Sequence, residues 1–465
     1  MNTKDQLFLT FYRELNLNDN SERLSLYNNL SIHKLYLAYT GKDEAKRQKL
    51  PIKVHLKTGL LFVKAFIQLI QLRFKKFNTL WLISDHTHFK QIVGLTNYIN
   101  TQTSIFVTDK KDFYYNIRKR FNTKHVIYLP TVYLSLVRIP TKNILAHIPE
   151  SITKEIGETQ TVDIIKYHAS NYRMLSKLLT PILKNTKQVV VYNDLIMFGR
   201  ILSELGNRHA IKTIYGMHGL LSDELIEHLH ITNEYWVFGN TTKQLLEKKG
   251  YLPNQVSVTG APYLEYYKTH TSPFNLLNAL TINPHHKVVL ILLSGRGHTT
   301  SPKHHELLIQ TLHEVIRSTS ENSFTYIFKL HKKDNPTYYQ SIINDPKIAD
   351  TVQFYTFESF QEKETIFDWI KLADVILTGA STSAVEAMYL GKPVISIDIL
   401  GEYEKETEYI RNGATYHAKK TIEIVQLLNQ LNENKLPLKN EGVTMASNYF
   451  STSQTFESYF ANAKL

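Results

Sequence analysis

The chain of 465 residues contains no cysteine. That excludes a disulfide framework, a thiolate zinc site and a cysteine nucleophile, and it fits a reducing cytoplasm. Acidic residues are in the minority: 42 Asp and Glu face 54 Lys and Arg, for a formal net charge of +12. Several chemical signatures are also missing. There is no GxxxxGK[ST] phosphate loop, no HExxH helix, no ferredoxin-type motif and no DxD triad, so a metal-dependent site is not expected. The excess of basic residues is spread along the chain with no zinc finger or RNP-like aromatic motif, which argues against nucleic acid as the partner. The N-terminal stretch MNTKDQLFLTFYRELNLNDN carries acids and lacks a signal-peptide apolar centre. No internal repeat stands out.

What is present describes a folded α/β protein. Hydrophobic residues make up 43% and charged residues 21% of the chain, a balance that argues against disorder. The length exceeds one ordinary core, so two α/β domains are expected. In the first half, strand-like runs recur at Leu80–Ser84, Ser104–Thr108, His125–Leu129, Gln188–Asn193, Lys212–Gly216 and Glu234–Gly239, mostly separated by helical patterns. Thr141–Leu183 reads as mostly helical. Val256–Asn278, with Gly260 and Pro262, reads as the crossover between domains. The second half restarts with the strand Lys287–Leu293, a helix at His304–Ser318, and strands at Phe324–His331 and Thr351–Thr356. The expected domains are residues 1–258, residues 259–440 and a C-terminal helix over 441–465 that packs back toward the first.

The most informative stretch is ADVILTGASTSAVEAMYLGKPVISID, Ala373–Asp398. It predicts a buried strand (Asp374–Thr378), a small-residue turn (Gly379–Ser383), a helix (Ala384–Leu390) and a second buried strand (Pro393–Ile397). A strand that opens through Gly, Ser and Thr into a helix presents backbone N–H groups and the positive end of a helix dipole, both suited to phosphate. Glu386, inside that helix, is placed to reach the sugar hydroxyls of a nucleotide. The same pattern fits an ordinary βαβ unit with a capped helix.

In open α/β sheets ligands gather at the carboxyl ends of strands, and four further groups fall there. Asp194, after QVVVYN, either caps the next helix or serves as a general base. His218, before Gly219, titrates near neutrality and suits proton transfer from a hydroxyl; the alternative is polar surface. Lys329 and His331 would share one face of a strand and pair their charges toward an anion, or form a solvent-facing stripe. Gly295 and Arg296, in Ser-Gly-Arg-Gly after a strand, would let backbone amides approach phosphate oxygens.

One segment bears on membranes. KVHLKTGLLFVKAFIQLIQLRFKK, Lys53–Lys76, has an apolar run of about 14 residues, short of the roughly 20 needed to span a bilayer. It reads either as a buried core helix or as a basic helix lying in the interface.

The order of these parts resembles the inverting glycosyltransferases of the GT-B fold, two Rossmann-like domains facing across a cleft. The likeness covers roughly residues 185 to 400 and is nearest to bacterial surface-polysaccharide enzymes: sialyltransferases, Kdo transferases and the CDP-glycerol or ribitol phosphotransferases. Lys329-Leu330-His331 is similar to the His-Pro motif of sialyltransferases, with Lys332 in place of the Pro. Ser381-Thr382-Ser383 looks like their Ser-Ser/Thr motif, and His218-Gly219 resembles the His-Gly of the teichoic-acid enzymes. Glu386 matches the GT-B glutamate that holds the ribose. Thr378, eight residues before it, replaces the second acid of retaining enzymes, which implies inversion. The resemblance implies a metal-independent cytoplasmic transferase without a cofactor, in which the nucleotide sugar is a substrate. Gly295, Arg296, Lys329, His331, Gly379, Ser381, Thr382, Ser383 and Glu386 would bind the donor, with Asp194 or His218 as base. The donor is expected to be a CMP-activated nonulosonic or Kdo-type sugar, the acceptor a glycan or lipid-linked glycan at the inner membrane face. The alternatives are a CDP-alditol phosphotransferase and a UDP-sugar enzyme, transferase or epimerase.

Overall fold

The computed structural model describes residues 64–129, 156–194, 196–219, 231–269, 276–280, 282–293, 301–321, 323–331, 334–356 and 364–450, with 150, 154, 359 and 458–460. Lys53–Val63, the start of Thr141–Leu183, Gly295 and Arg296 lie outside these residues. The described chain divides into two compact units. The first takes the residues up to Phe238, Thr242–Tyr263 and 458–460, and the second takes Gly239–Thr241 and everything from Leu264 to Phe450.

The first unit is built on β1 (Phe77–Leu82), β2 (Ser104–Thr108), β3 (Val126–Tyr128), β4 (Thr186–Val191), β5 (Lys212–Gly216), β6 (Glu234–Val237) and β7 (Val256–Val258). They form a sheet in the order β3-β2-β1-β4-β5-β6-β7, parallel at every pairing. Parallel neighbours need crossovers that cover both faces, and so the strands read as unbroken apolar runs. The crossovers include α1 (His86–Gly94), α2 (Lys111–Phe121), α3 (Glu158–Leu183) and α4 (Met197–Arg208). The pleat sorts the side chains. Leu80, Leu82, Val189 and Val191 meet the apolar stripes of α3 and α4, while Trp81, Ile83, Val190 and Trp236 meet α1, α2 and Phe460 on the other face.

The second unit repeats the plan with β8 (Lys287–Leu292), β9 (Phe324–Lys329), β10 (Val352–Tyr355), β11 (Val375–Thr378), β12 (Val394–Ile397) and β13 (Tyr416–Ala418). The order is β10-β9-β8-β11-β12-β13, again all parallel. Its helices include α5 (Pro302–Ser318), α6 (Thr382–Tyr389), α7 (Thr421–Asn432) and α8 (Asn440–Phe450). Val289, Ile291, Phe328, Val375 and Ile395 pack against α5 and α7. In each sheet the winding direction reverses once, between β1 and β4 and between β8 and β11. Such reversals leave a crevice outside the strand ends where α/β proteins hold ligands.

Most expected strands are present, Ser104–Thr108 and Lys212–Gly216 residue for residue. Three features differ. The helix after β11 starts at Thr382 rather than Ala384, because Ser381 caps it. Val256–Val258, read within a crossover, is a seventh strand on β6; three residues flanked by polar ones carry too little periodicity to announce themselves. β9 stops at Lys329. His331 instead enters a turn in which Asp334 N donates to His331 O, so Lys329 and His331 do not share a strand face.

Gly199 in α4 places its Cα against the chain leaving β4: a Cβ there would lie 1.8 Å from Asn193 O. Gly199→Ala is expected to cost about 1–3 kcal/mol by overpacking against backbone, read as a lower urea midpoint at unchanged slope.

Candidate functional site

At the reversal of the second sheet, Thr378 ends β11 and its hydroxyl donates to Leu292 O of β8 at 2.6 Å. The chain then turns through Gly379, where a Cβ would lie 2.7 Å from the Tyr403 ring; any side chain here would have to displace that ring. Ser381 is the N-cap of α6, its Oγ accepting from Ser383 N at 3.2 Å. Beneath the turn, the Tyr409 hydroxyl accepts from Ser381 N at 2.7 Å and has Gly379 O and Ser381 O within 3.3 Å as acceptors. Burial holds the Tyr409 phenol above its usual pKa, so it remains a donor. Ser381, Thr382 and Ser383 are part-exposed at the helix start. Glu386 is buried one turn on, at 3% exposure.

A histidine that sequence reasoning missed flanks this turn. His304, in the first turn of α5, stacks on Tyr403 with ring centroids 4.6 Å apart. Its Nδ1 lies 3.1 Å from Glu402 Oε2, while its buried Nε2 has no hydrogen-bond partner. The signal available was Ser-Pro-Lys-His-His, an N-cap serine and N1 proline opening a helix directly after the first strand of a Rossmann-like unit. Lys329 is committed elsewhere: its ammonium donates to Thr356 O at 2.7 Å and pairs with the buried Glu364 at 2.9 Å. His331 lies just past the end of β9.

At the reversal of the first sheet, the chain leaving β1 reaches Asp85, the N-cap of α1. Its Oδ1 accepts from Thr87 N at 2.8 Å and His88 N at 3.1 Å. His88 is fully buried, and its Nδ1 accepts from Ser84 N at 3.2 Å. That fixes the tautomer: in the neutral ring the proton sits on Nε2, 3.8 Å from Asp85 Oδ2. The His88 ring meets His218 edge-on at 5.3 Å and Tyr192 at 5.6 Å. His218 follows β5, with Nδ1 3.4 Å from the Tyr215 hydroxyl. Burial pulls the Asp85 pKa upward, but His88, Thr87 and His218 outweigh it and bring it down to about 2. Asp109, at the end of the adjacent β2, is raised by burial instead. Asp85 and His88 were hidden in the sequence because SDHTH looks like an ordinary helix cap.

The two residues proposed as base from sequence thus occupy different settings. His218 belongs to this cluster. Asp194 is fully buried, its Oδ2 accepting from Ile231 N at 2.8 Å, and it does not cap α4, whose N-cap is Ile196. Among the described residues, no cluster of three or more His, Cys, Asp or Glu side chains is placed to hold a metal. None of the described helices is long and apolar enough to cross a membrane.

No family model matches the chain, and no curated protein matches it. Solved structures do. A Listeria monocytogenes protein assigned as a UDP-N-acetylglucosamine 2-epimerase aligns with a TM-score of 0.57 at 13% identity, covering 84% of this chain and 96% of its own. The Neisseria meningitidis UDP-GlcNAc 2-epimerase bound to UDP-GlcNAc gives 0.53 at 15% identity, covering 83% and 100%. The Methanocaldococcus jannaschii UDP-GlcNAc 2-epimerase gives 0.53 at 14%, covering 83% and 98%. At these identities the likeness establishes the fold: α/β, with two Rossmann-like units of GT-B type. The neighbours handle UDP-sugars, and none of these three is a sialyltransferase, a Kdo transferase or a CDP-glycerol enzyme.

Asp85 stabilises the fold in its charged form, because its folded pKa lies below the 3.8 of an unperturbed aspartate. Its contribution is complete above that value and is lost as pH falls through about 2. The urea midpoint of Asp85→Asn is therefore expected to lie below wild type near neutrality and to converge on it as the pH approaches 2.

Proposed function

We propose that the chain is an enzyme acting on a UDP-activated sugar, with epimerisation of the sugar as its reaction. The Gly379–Ser383 turn takes the diphosphate on the first-turn amides and hydroxyls of α6. The Asp85–His88–His218 cluster moves the proton. Inverting a carbon of a sugar requires a proton to leave and a proton to return, so it needs more than one titratable group at neutral pH. The observation that carries the reading is this cluster: two histidines packed edge to face beside a carboxylate, at the reversal of the first sheet. Asp109 adds an acid to the ends of the same strands, supplying carboxylates that the sequence alone did not place there. The TM-scores above 0.5 to UDP-GlcNAc 2-epimerases favour UDP over CMP and epimerisation over transfer.

The second reading is inverting glycosyl transfer to a glycan or lipid-linked acceptor, favoured by the likeness of Ser381-Thr382-Ser383 and His218-Gly219 to transferase motifs. A base at His218 would then deprotonate the acceptor hydroxyl.

Calorimetric titration with UDP, CMP, CDP, GDP and ADP should show selective binding of UDP, weakened in Ser383→Ala. Tightest binding to CMP would restore the transferase donor first inferred from sequence. With UDP-GlcNAc in deuterium oxide, proton NMR should show a new epimer carrying solvent deuterium. His218→Asn should slow that exchange roughly 10²–10⁴-fold while leaving UDP binding intact. Release of UDP only when an acceptor glycan is added, with no deuterium in the sugar, would assign transfer instead.

A further inference from the structure

The segment Lys53–Lys76 posed a choice between a core helix and an interfacial one, and its described part buries one face and exposes the other. Residues 64–72 are helical. Ala65, Leu69 and Leu72 are buried in the core of the first unit. The opposite face is apolar as well: Phe66, Ile67 and Ile70 are 47%, 51% and 46% exposed, and Phe74 just beyond the helix is 78% exposed. At 3.6 residues per turn these four positions fall within one arc of roughly 100°. Contiguous apolar surface of this kind marks an interaction site.

The charge around it indicates the partner. Lys64, Arg73, Lys75 and Lys76 are all exposed and flank the apolar residues. From Ala45 to Ser84 the sequence contains no Asp or Glu. The helix is tied to the edge where β3 and β4 begin: Gln68 donates to Lys124 O, and Asn185 Nδ2 donates to Arg73 O at 2.7 Å. Exposed Lys124 and Lys184 extend the basic surface there, and the neighbouring stretches 100–104, 119–126 and 183–187 contain no acid.

We propose that this face docks on an anionic lipid bilayer, with Phe66, Ile67, Ile70 and Phe74 entering the acyl boundary and the flanking cations meeting lipid phosphates. Basic apolar helices bind interfaces by this combination of apolar area and electrostatic attraction. A second copy of the chain is the poorer occupant, since a two-fold contact would set the same cations against each other. The docking face lies at the N-terminal edge of β1–β4, opposite the strand ends that carry Asp85, His88 and His218, so it leaves that cluster uncovered by lipid. The inference does not depend on the reaction proposed above.

Vesicle flotation of the full chain tests it, with phosphatidylcholine alone and with phosphatidylglycerol added. Wild type is expected to float only with the anionic vesicles and to be released by salt. Phe66→Ser with Phe74→Ser should lower partitioning at least tenfold. Lys75→Gln with Lys76→Gln should lower it about 25-fold, at about fivefold per cation near the surface. All four positions are exposed, so both variants should unfold at the wild-type temperature. Equal flotation on neutral vesicles, no flotation on either, or variants that float like wild type would overturn the proposal. So would a dimer in solution that Phe74→Ser dissolves, which would name a second copy as the occupant.

Discussion

Parallel strand pairing is the constraint from which the rest follows. A parallel sheet cannot be closed by hairpins, so each strand returns through a crossover and both faces are covered. All strands of a sheet then finish at one edge, and the chain loops that carry polar side chains are collected there. Each sheet reverses its winding once, and each candidate site lies at that reversal: Asp85 and His88 after β1 with Tyr192 after β4, and Gly379–Ser383 after β11 beside the end of β8. The hydroxyl of Thr378 on Leu292 O ties the second pair of strands together where the Gly379–Ser383 turn begins.

At both reversals, backbone groups help to fix the polar side chains. His88 receives its tautomer from the amide of Ser84, Asp85 is held by the amides it caps, and the Ser381 turn rests on one tyrosine hydroxyl that meets three backbone atoms. Such anchoring is pre-organised: the polar groups are oriented before a ligand arrives, and little rotamer freedom is left to lose. Asp85 has two functions at once, as a helix cap and as the carboxylate beside the buried His88 ring. A substitution there therefore disturbs fold and cluster together, whereas one at His218 addresses the cluster more cleanly.

Much of this was legible in the sequence. The strands of both sheets were visible because doubly covered strands are apolar throughout, as in Val288–Leu292 and Val375–Leu377. The Gly379–Ser383 turn was visible because its residue types have a single mechanical purpose there. What escaped was decided by tertiary contact. Asp85 and His88 become a cluster only when β5 brings His218 alongside, 130 positions later in the chain than His88. Lys329 looked available for an anion until Glu364, from the approach to the next helix, occupied it. His304 gained its setting from Glu402 and Tyr403, almost a hundred residues away. The short strands β7 and β13 exist through their neighbours' hydrogen bonds rather than through any pattern of their own.

Phe460 is 2% exposed, and it packs edge-on against Trp236 while Tyr459 donates to Glu234 at 3.0 Å. The first unit thus draws its last core residue from the far end of the chain, after the whole of the second unit has been threaded. During synthesis on a ribosome, the second Rossmann-like unit can complete its sheet while the first still has a gap in its aromatic layer. The order of emergence and the order of completion are therefore reversed: the unit that appears first is finished last. A nascent chain that has not yet reached Phe460 lacks the ring that packs against both Trp236 and Tyr98.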